Sequence, residues 1–161
     1  MKKLIVINGT MGVGKTAVSS MLNKKLKPSV WLDGDWCWHM NPWIIDEQNK
    51  KMVEDNISYL LNNFLKNDNY QYIIFNWVLH KESIWQSLNS KLIKKDYDLH
   101  RFTLICSEKK LRERMIKDNR AVAVVERSVQ NYQRYLVQNT TKIDTTDLLI
   151  NEVVDRIIGL L

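Results

Sequence analysis

The chain has 161 residues, 24 of them Lys or Arg and 18 Asp or Glu, for a net charge of +6; that length fits one domain spanning residues 1–161, with enough chain to bury a core. The basic balance suits an acidic partner, either a polyphosphate or a nucleic acid, but Lys24 and Lys25, Lys94 and Lys95, and Lys109 and Lys110 are scattered pairs rather than one stripe, so nucleic acid is not expected. No long uncharged apolar run marks a membrane span, Met1-Lys2-Lys3 leads into a core strand rather than a secretory signal, and Cys37 and Cys106 lie far apart without metal-ligand spacing; the expectation is a cytoplasmic protein with reduced thiols.

Residues 3–8, Lys3-Leu4-Ile5-Val6-Ile7-Asn8, read as a short apolar strand. It runs into Gly9-Thr10-Met11-Gly12-Val13-Gly14-Lys15-Thr16, which fits the pattern G-x-x-x-x-G-K-S/T at every fixed position. Glycines there let the backbone curl so that successive N–H groups aim at phosphate oxygens. Lys15 adds a mobile positive charge for the terminal phosphates, and the Thr16 hydroxyl is a Mg²⁺ ligand in such loops. Residues 17–26 read as the helix leaving the loop, so phosphates meet a helix N-terminus at Ala17, where the dipole favours anions. The whole run from Gly9 to Ala17 is thus a nucleotide-binding candidate.

Beyond it, Val30-Trp31-Leu32 is a short strand, and residues 46–66 form a long helix with Met52, Val53, Ile57, Leu60, Leu61, Phe64 and Leu65 on one side. Asp46 and Glu47 favour its first turn. Tyr72-Ile73-Ile74-Phe75 is a continuous apolar run, as a strand buried on both faces shows. Ile84, Trp85, Leu88 and Leu92 mark the next helix, and residues 102–106 the next strand. Ser107 is positioned to cap a helix carrying Leu111, Met115 and Ile116. Residues 126–138 form another helix, residues 142–144 a last strand, and Asn151 a candidate cap for a terminal helix with Val153, Val154, Ile157 and Ile158. Strand and helix alternate throughout, which predicts an α/β fold with a parallel sheet covered on both faces and ligands at the carboxyl ends of its strands.

With these residues in place, nearly the whole chain resembles the small P-loop kinases that phosphorylate metabolites and antibiotics: shikimate kinase, gluconate kinase, adenylylsulfate kinase and chloramphenicol phosphotransferase. The resemblance implies a three-layer P-loop kinase fold with a five-stranded parallel sheet, and ATP with Mg²⁺. Leu32-Asp33-Gly34-Asp35 is similar to the D-x-D segment of these families. By that likeness Asp33 lies near Mg²⁺ or the attacking hydroxyl, and Asp35 holds the acceptor. Arg112, Arg114 and Arg120 occupy the stretch where an adenine-contacting arginine, taken here as Arg112, precedes the arginine of a mobile lid, taken as Arg120 in a segment 119–126, with Arg127 in reserve. Ile143-Asp144-Thr145-Thr146 and Asn151-Glu152-Val153-Val154 match the last strand and helix, whose connecting loop touches adenine. Two features depart from the pattern. Phe75-Asn76-Trp77 ends its strand without an acidic residue, leaving Mg²⁺ to Thr16, water, phosphates and Asp33. Arg120-Ala121-Val122 lacks the Arg-Pro pair of shikimate kinases, which counts against shikimate itself.

Phosphoryl transfer asks for in-line positioning and positive charge, which Lys15 and Arg120 supply, and Asp33 is placed to take the proton of an attacking hydroxyl. A bland reading stands beside this one: Asp-Gly pairs also make ordinary turns, and helix arginines also face solvent. The aromatic run Asp35-Trp36-Cys37-Trp38-His39-Met40-Asn41-Pro42-Trp43, together with Trp77, reads either as a flat-walled pocket for a planar or partly apolar acceptor, with Asp35, Trp36, Trp38 and Trp77 lining it, or as a satellite core under the long helix. His39 reads as a loop residue rather than a base. The reaction implied is transfer of the γ-phosphoryl group of ATP to a small-molecule hydroxyl. A nucleoside or nucleoside-monophosphate kinase and a non-catalytic nucleotide-binding regulatory module are the alternatives. Against the module, the chain has no D-x-x-G after its third strand.

Overall fold

The computed structural model of the chain describes residues 1–94 and 96–161; Lys95, one of the scattered lysines, lies outside them. Strands β1 (Lys2–Asn8), β2 (Ser29–Asp33), β3 (Tyr72–Asn76), β4 (Tyr97–Ile105) and β5 (Thr141–Asp144) alternate with helices α1 (Lys15–Lys25), α2 (Glu47–Lys66), α3 (Glu82–Ser90), α4 (Glu108–Lys117), α5 (Val122–Leu136) and α6 (Ile150–Ile158). The strands pair in parallel, in the order β2-β3-β1-β4-β5. This is the three-layer α/β architecture of the P-loop kinases.

Strand β1 shows how the layers arise. Side chains alternate across a strand, so Ile5 and Ile7 enter one core with Val18 and Leu22 of α1, Met115 of α4, Val125 of α5 and Ile157 of α6. Leu4 and Val6 enter the other, with Ile57 and Leu61 of α2 and Trp85 and Leu88 of α3. A strand apolar on both faces is therefore required at the centre, which explains the unbroken Leu-Ile-Val-Ile run. Burying each such side chain stabilises the fold by about 1.5–3 kcal/mol. The chain leaves β1 toward β2 on one side and places β4 on the other. That reversal opens a crevice at the carboxyl end of β1, where the phosphate loop begins.

Local ends differ from the sequence reading in instructive ways. Strand β4 starts at Tyr97, five residues before the apolar run, because pairing with β1 from Lys2 onward extends it past its most buried part. Asp46 is the N-cap of α2 rather than part of its first turn, its carboxylate accepting the Asn49 N–H at 2.7 Å. Ser107 caps α4 as expected, accepting the Lys110 N–H. Asn151 does not cap α6; Leu149 holds that position, with its N–H donated to the Glu152 carboxylate at 2.7 Å. Helix α5 begins at Val122 instead of 126. Asn119 adopts a left-handed φ of 54°, and the Asn119 and Arg120 N–H groups bond back to Ile116 and Met115. That double bond closes α4 so tightly that a new helix starts at once from Ala121. Among the described residues, no helix is long and apolar enough to cross a membrane.

Candidate functional site

Gly12 and Gly14 carry φ of +83° and +106°, in the left-handed region that other residues rarely adopt. The two glycines are needed for different reasons. A Cβ on Gly12 would collide with the Met115 side chain, whereas one on Gly14 would meet no protein atom within 4 Å and would instead fill the hollow of the loop. Among the described residues, the N–H groups of Gly12, Gly14, Lys15 and Thr16 donate to no protein acceptor. Four free amides at the head of α1, around a hollow that a Cβ would fill, form a phosphate cradle. The residues present fit a nucleotide polyphosphate.

Lys15 is nearly buried, at 9% exposure, and its ammonium donates to the Thr10 carbonyl at 3.0 Å. Burial lowers its pKa from 10.5 to about 8, and Asp35 and Asp33, pulling the other way, keep it from falling further. Thr16 donates its hydroxyl to Asp33 Oδ2 at 2.9 Å, across the gap between α1 and the end of β2. The other oxygen of Asp33 accepts the Asp35 N–H at 3.0 Å, opening a short 3₁₀ turn over Gly34–Trp38. Asp33-Gly34-Asp35 is thus a turn and also part of the site. Lost solvation, then the neighbouring Asp33, hold the Asp35 carboxyl above the usual carboxylate range, while Lys15 opposes them. Asn76 ends β3 at the same level and accepts the Trp31 indole N–H at 2.6 Å. Among the described residues, no three His, Cys, Asp or Glu side chains cluster as a metal site. Thr16 and Asp33 are the oxygen pair that fits Mg²⁺ shared with phosphates.

Beside the loop lies a cavity of about 480 Å³, walled by Gly12, Gly14, Ala17 and Val18 on one side and by Leu148, Leu149, Ile150 and Val153 on the other, with Arg114, Lys117, Asp118 and Thr145 on its rim. Arg112, the adenine candidate, is not there. Its guanidinium is tied to Glu108 on its own helix and to Glu126 on α5, and those carboxylates raise its pKa. Arg114 lines the cavity instead. It donates to the Val13 carbonyl at 3.3 Å, the Thr145 hydroxyl at 2.9 Å and the Thr145 carbonyl at 2.7 Å, joining the loop to the turn after β5.

Arg120 is exposed on the connection between α4 and α5. The segment 119–126 is not one loop, since residues 122–126 already belong to α5. The tryptophans divide. Trp77 is buried in the second core and leaves no room for a Cβ on Gly34, whose nearest clash would be 2.5 Å from the Trp77 ring. Its indole N–H leans toward Asp35 without completing a hydrogen bond. Trp38 packs against that same core, so these two are satellite core first. Trp36 is half exposed and lies 4.9 Å from Trp31, centroid to centroid. His39 is an exposed loop residue.

Sequence reading named Thr10 but missed three residues behind the loop, Ser128, Asn8 and Gln138. Thr10 turns its side chain inward to Ser128 of α5. Asn8, buried at the end of β1, bonds both backbone groups of Leu79, and Gln138 completes that network. The available signal was a polar residue, Ser128, on a helix face otherwise marked by Val125 and Val129.

A model of the family described as AAA domain matches residues 5–135. No curated protein matches the chain in sequence. Among solved structures, the tunicamycin resistance protein of Deinococcus radiodurans is similar over 99% of this chain and 95% of its own, at 20% identity and a TM-score of 0.74. A gluconokinase from Sinorhizobium meliloti 1021 is similar over 98% and 90%, at 16% identity and 0.70. The thymidylate kinase of Candida albicans is similar over 99% and 90%, at 16% identity and 0.67. The fold is shared with these proteins.

Proposed function

Because the chain belongs to the AAA domain family, and folds as small P-loop kinases do, we propose that it is an ATP- and Mg²⁺-dependent phosphotransferase. It moves the γ-phosphoryl group of ATP to a hydroxyl of a small molecule. The observation that carries this reading is the Thr16–Asp33 contact at 2.9 Å, made from the first turn of the helix that starts at Lys15 and has the free amides of the cradle at its head. It joins the phosphate end of the site to the strand end that carries Asp35 and Trp36. In this reading the Lys15 ammonium and the amides of Gly12, Gly14, Lys15 and Thr16 hold the β- and γ-phosphates. Arg114, rather than Arg112, borders the adenine cavity. Thr16 and Asp33 would hold Mg²⁺, which when bound neutralises phosphate charge. Asp33 accepts the acceptor's hydroxyl proton and Asp35 holds the acceptor, with an exchange of the two roles as the alternative. Arg120 acts from the 119–126 segment as a lid arginine. Trp36, exposed beside Asp35, offers an aromatic face to an antibiotic-like or otherwise planar acceptor, and Trp38 and Trp77 back the wall.

A second reading has its own support. Arg127 and Arg134 lie seven residues apart on one face of α5, exposed, and among the described residues neither is in an ion pair. Two such arginines suit a phosphate-bearing acceptor such as a nucleoside monophosphate. ATP consumption measured across a panel of polyols, aminoglycosides, nucleosides and nucleoside monophosphates separates the readings. Turnover with any of them that disappears in Lys15→Ala supports a kinase. ATP binding without turnover on the whole panel favours the regulatory module.

A further inference from the structure

Ser128 is remote from the phosphate loop in sequence yet reaches its backbone. It is only 4% exposed, and its hydroxyl donates to the Met11 carbonyl at 2.6 Å. Thr10, 2% exposed, donates its own hydroxyl to the Ser128 carbonyl at 2.9 Å, and the two hydroxyl oxygens are 2.9 Å apart. These contacts hold the loop to α5 at two successive residues.

The Met11–Gly12 peptide is trans, so its C=O and N–H point in opposite directions. Holding the Met11 carbonyl against Ser128 therefore turns the Gly12 N–H away from α5 and leaves it free for a phosphate. Without that hold the plane is easily turned, because glycine at position 12 tolerates either orientation. A plane turned the other way would present a carbonyl oxygen to an anion in place of a donor. Arg114 restrains the Val13–Gly14 plane, two peptides further on, in the same manner through the Val13 carbonyl.

We propose that Ser128 is a positioning residue for polyphosphate binding, fixing the Met11–Gly12 peptide plane from outside the loop. The inference rests on the nucleotide reading above. It makes a selective demand, because Ser128 borders the loop and not the cavity assigned to the base. Its removal should be felt by phosphates and not by a nucleoside.

Calorimetric titration of the full chain with Mg²⁺-ATP, inorganic tripolyphosphate and adenosine tests this. In Ser128→Ala, ATP and tripolyphosphate should each weaken by the same factor, about 3–10-fold for one lost hydrogen bond, with adenosine unchanged. Ser128→Thr, which keeps the hydroxyl, should return both to within about twofold of wild type. Should Ser128→Ala not fold, Ser128→Cys, whose thiol is only a weak donor to the Met11 carbonyl, carries the comparison. Unchanged tripolyphosphate binding in the folded variant overturns the proposal, as does equal weakening of adenosine, which would mean general loosening. A wild-type chain that binds neither ATP nor tripolyphosphate overturns the nucleotide reading and this inference with it; wild-type binding with an indifferent variant overturns this inference alone.

Discussion

Lys15 is buried and, among the described residues, its one hydrogen-bond acceptor is a neutral carbonyl, which is why its proton is held less firmly than that of a lysine in water. The sign of the effect follows. The folded-state pKa of about 8 lies below the unfolded value of 10.5, so above pH 8 the unfolded chain holds more protons. Stability of the free protein should therefore rise as pH climbs from about 8 toward 10.5. Phosphate bound beside Lys15 restores its proton, so ATP binding near pH 8.5 should take up a proton and weaken as pH rises further. Titrations in two buffers of different ionisation enthalpy measure that uptake. Uptake that persists in Lys15→Met would assign it to another group. Gly34 gives a steric prediction of a different kind. Gly34→Ala places a methyl group 2.5 Å from the Trp77 ring, so it should destabilise the fold by about 1–3 kcal/mol, as overpacking does. Because Gly34 separates Asp33 from Asp35, turnover should fall as well. Denaturant titration and acceptor kinetics check the two effects separately. Asp33→Asn should chiefly lower kcat, and Asp35→Asn chiefly raise the acceptor KM; the reverse pattern exchanges their roles.

Helix α4 shows where sequence ceases to be legible. Leu111 and Met115 define its buried face, and at 100° per residue Arg112 and Arg114 fall about 80° to either side of it. The helical pattern thus gives the two arginines equal standing. Only the packing of α5, which brings Glu126 to Arg112, and of the turn after β5, which brings Thr145 to Arg114, separates them. Arg114→Ala should weaken ATP about tenfold, the scale of a charged hydrogen-bond set. Arg112→Ala should leave ATP affinity unchanged, because its ion pairs are exposed and distant from the cavity. Equal losses in both would return Arg112 to the adenine site. The phosphate loop, by contrast, was fully legible, since its geometry admits few residues and each stands at a fixed offset. Strand order within the alternating pattern and the start of α5 were less so. An asparagine in a left-handed conformation at position 119 ends one helix and begins the next within three residues, with no glycine or proline to announce it.

Across the whole molecule the site is coupled to both layers of the core. Strand β1 contributes Ile5 and Ile7 to one layer and Leu4 and Val6 to the other, and the phosphate loop is its direct continuation. The Asn8–Leu79–Gln138 network ties the end of that strand to the segment after β3 and to the end of α5. A ligand in the cradle therefore rests on backbone that cannot melt unless both layers do. ATP that binds only the folded chain adds RT ln(1 + [L]/Kd), about 2.7 kcal/mol at a hundredfold excess over Kd. For a chain of this size that corresponds to a rise in Tm of roughly 5–11 °C. Calorimetric scans with Mg²⁺-ATP at that excess should show one transition, moved upward by this amount, and little movement in Lys15→Ala at the same concentration. A shift confined to one of two resolved transitions would overturn the expectation of one domain over residues 1–161, because the loop would then stabilise only the layer it touches. A single transition that ATP does not move, despite binding seen by titration, would mean that ATP also binds the unfolded chain, and the cradle would lose its claim to require the fold.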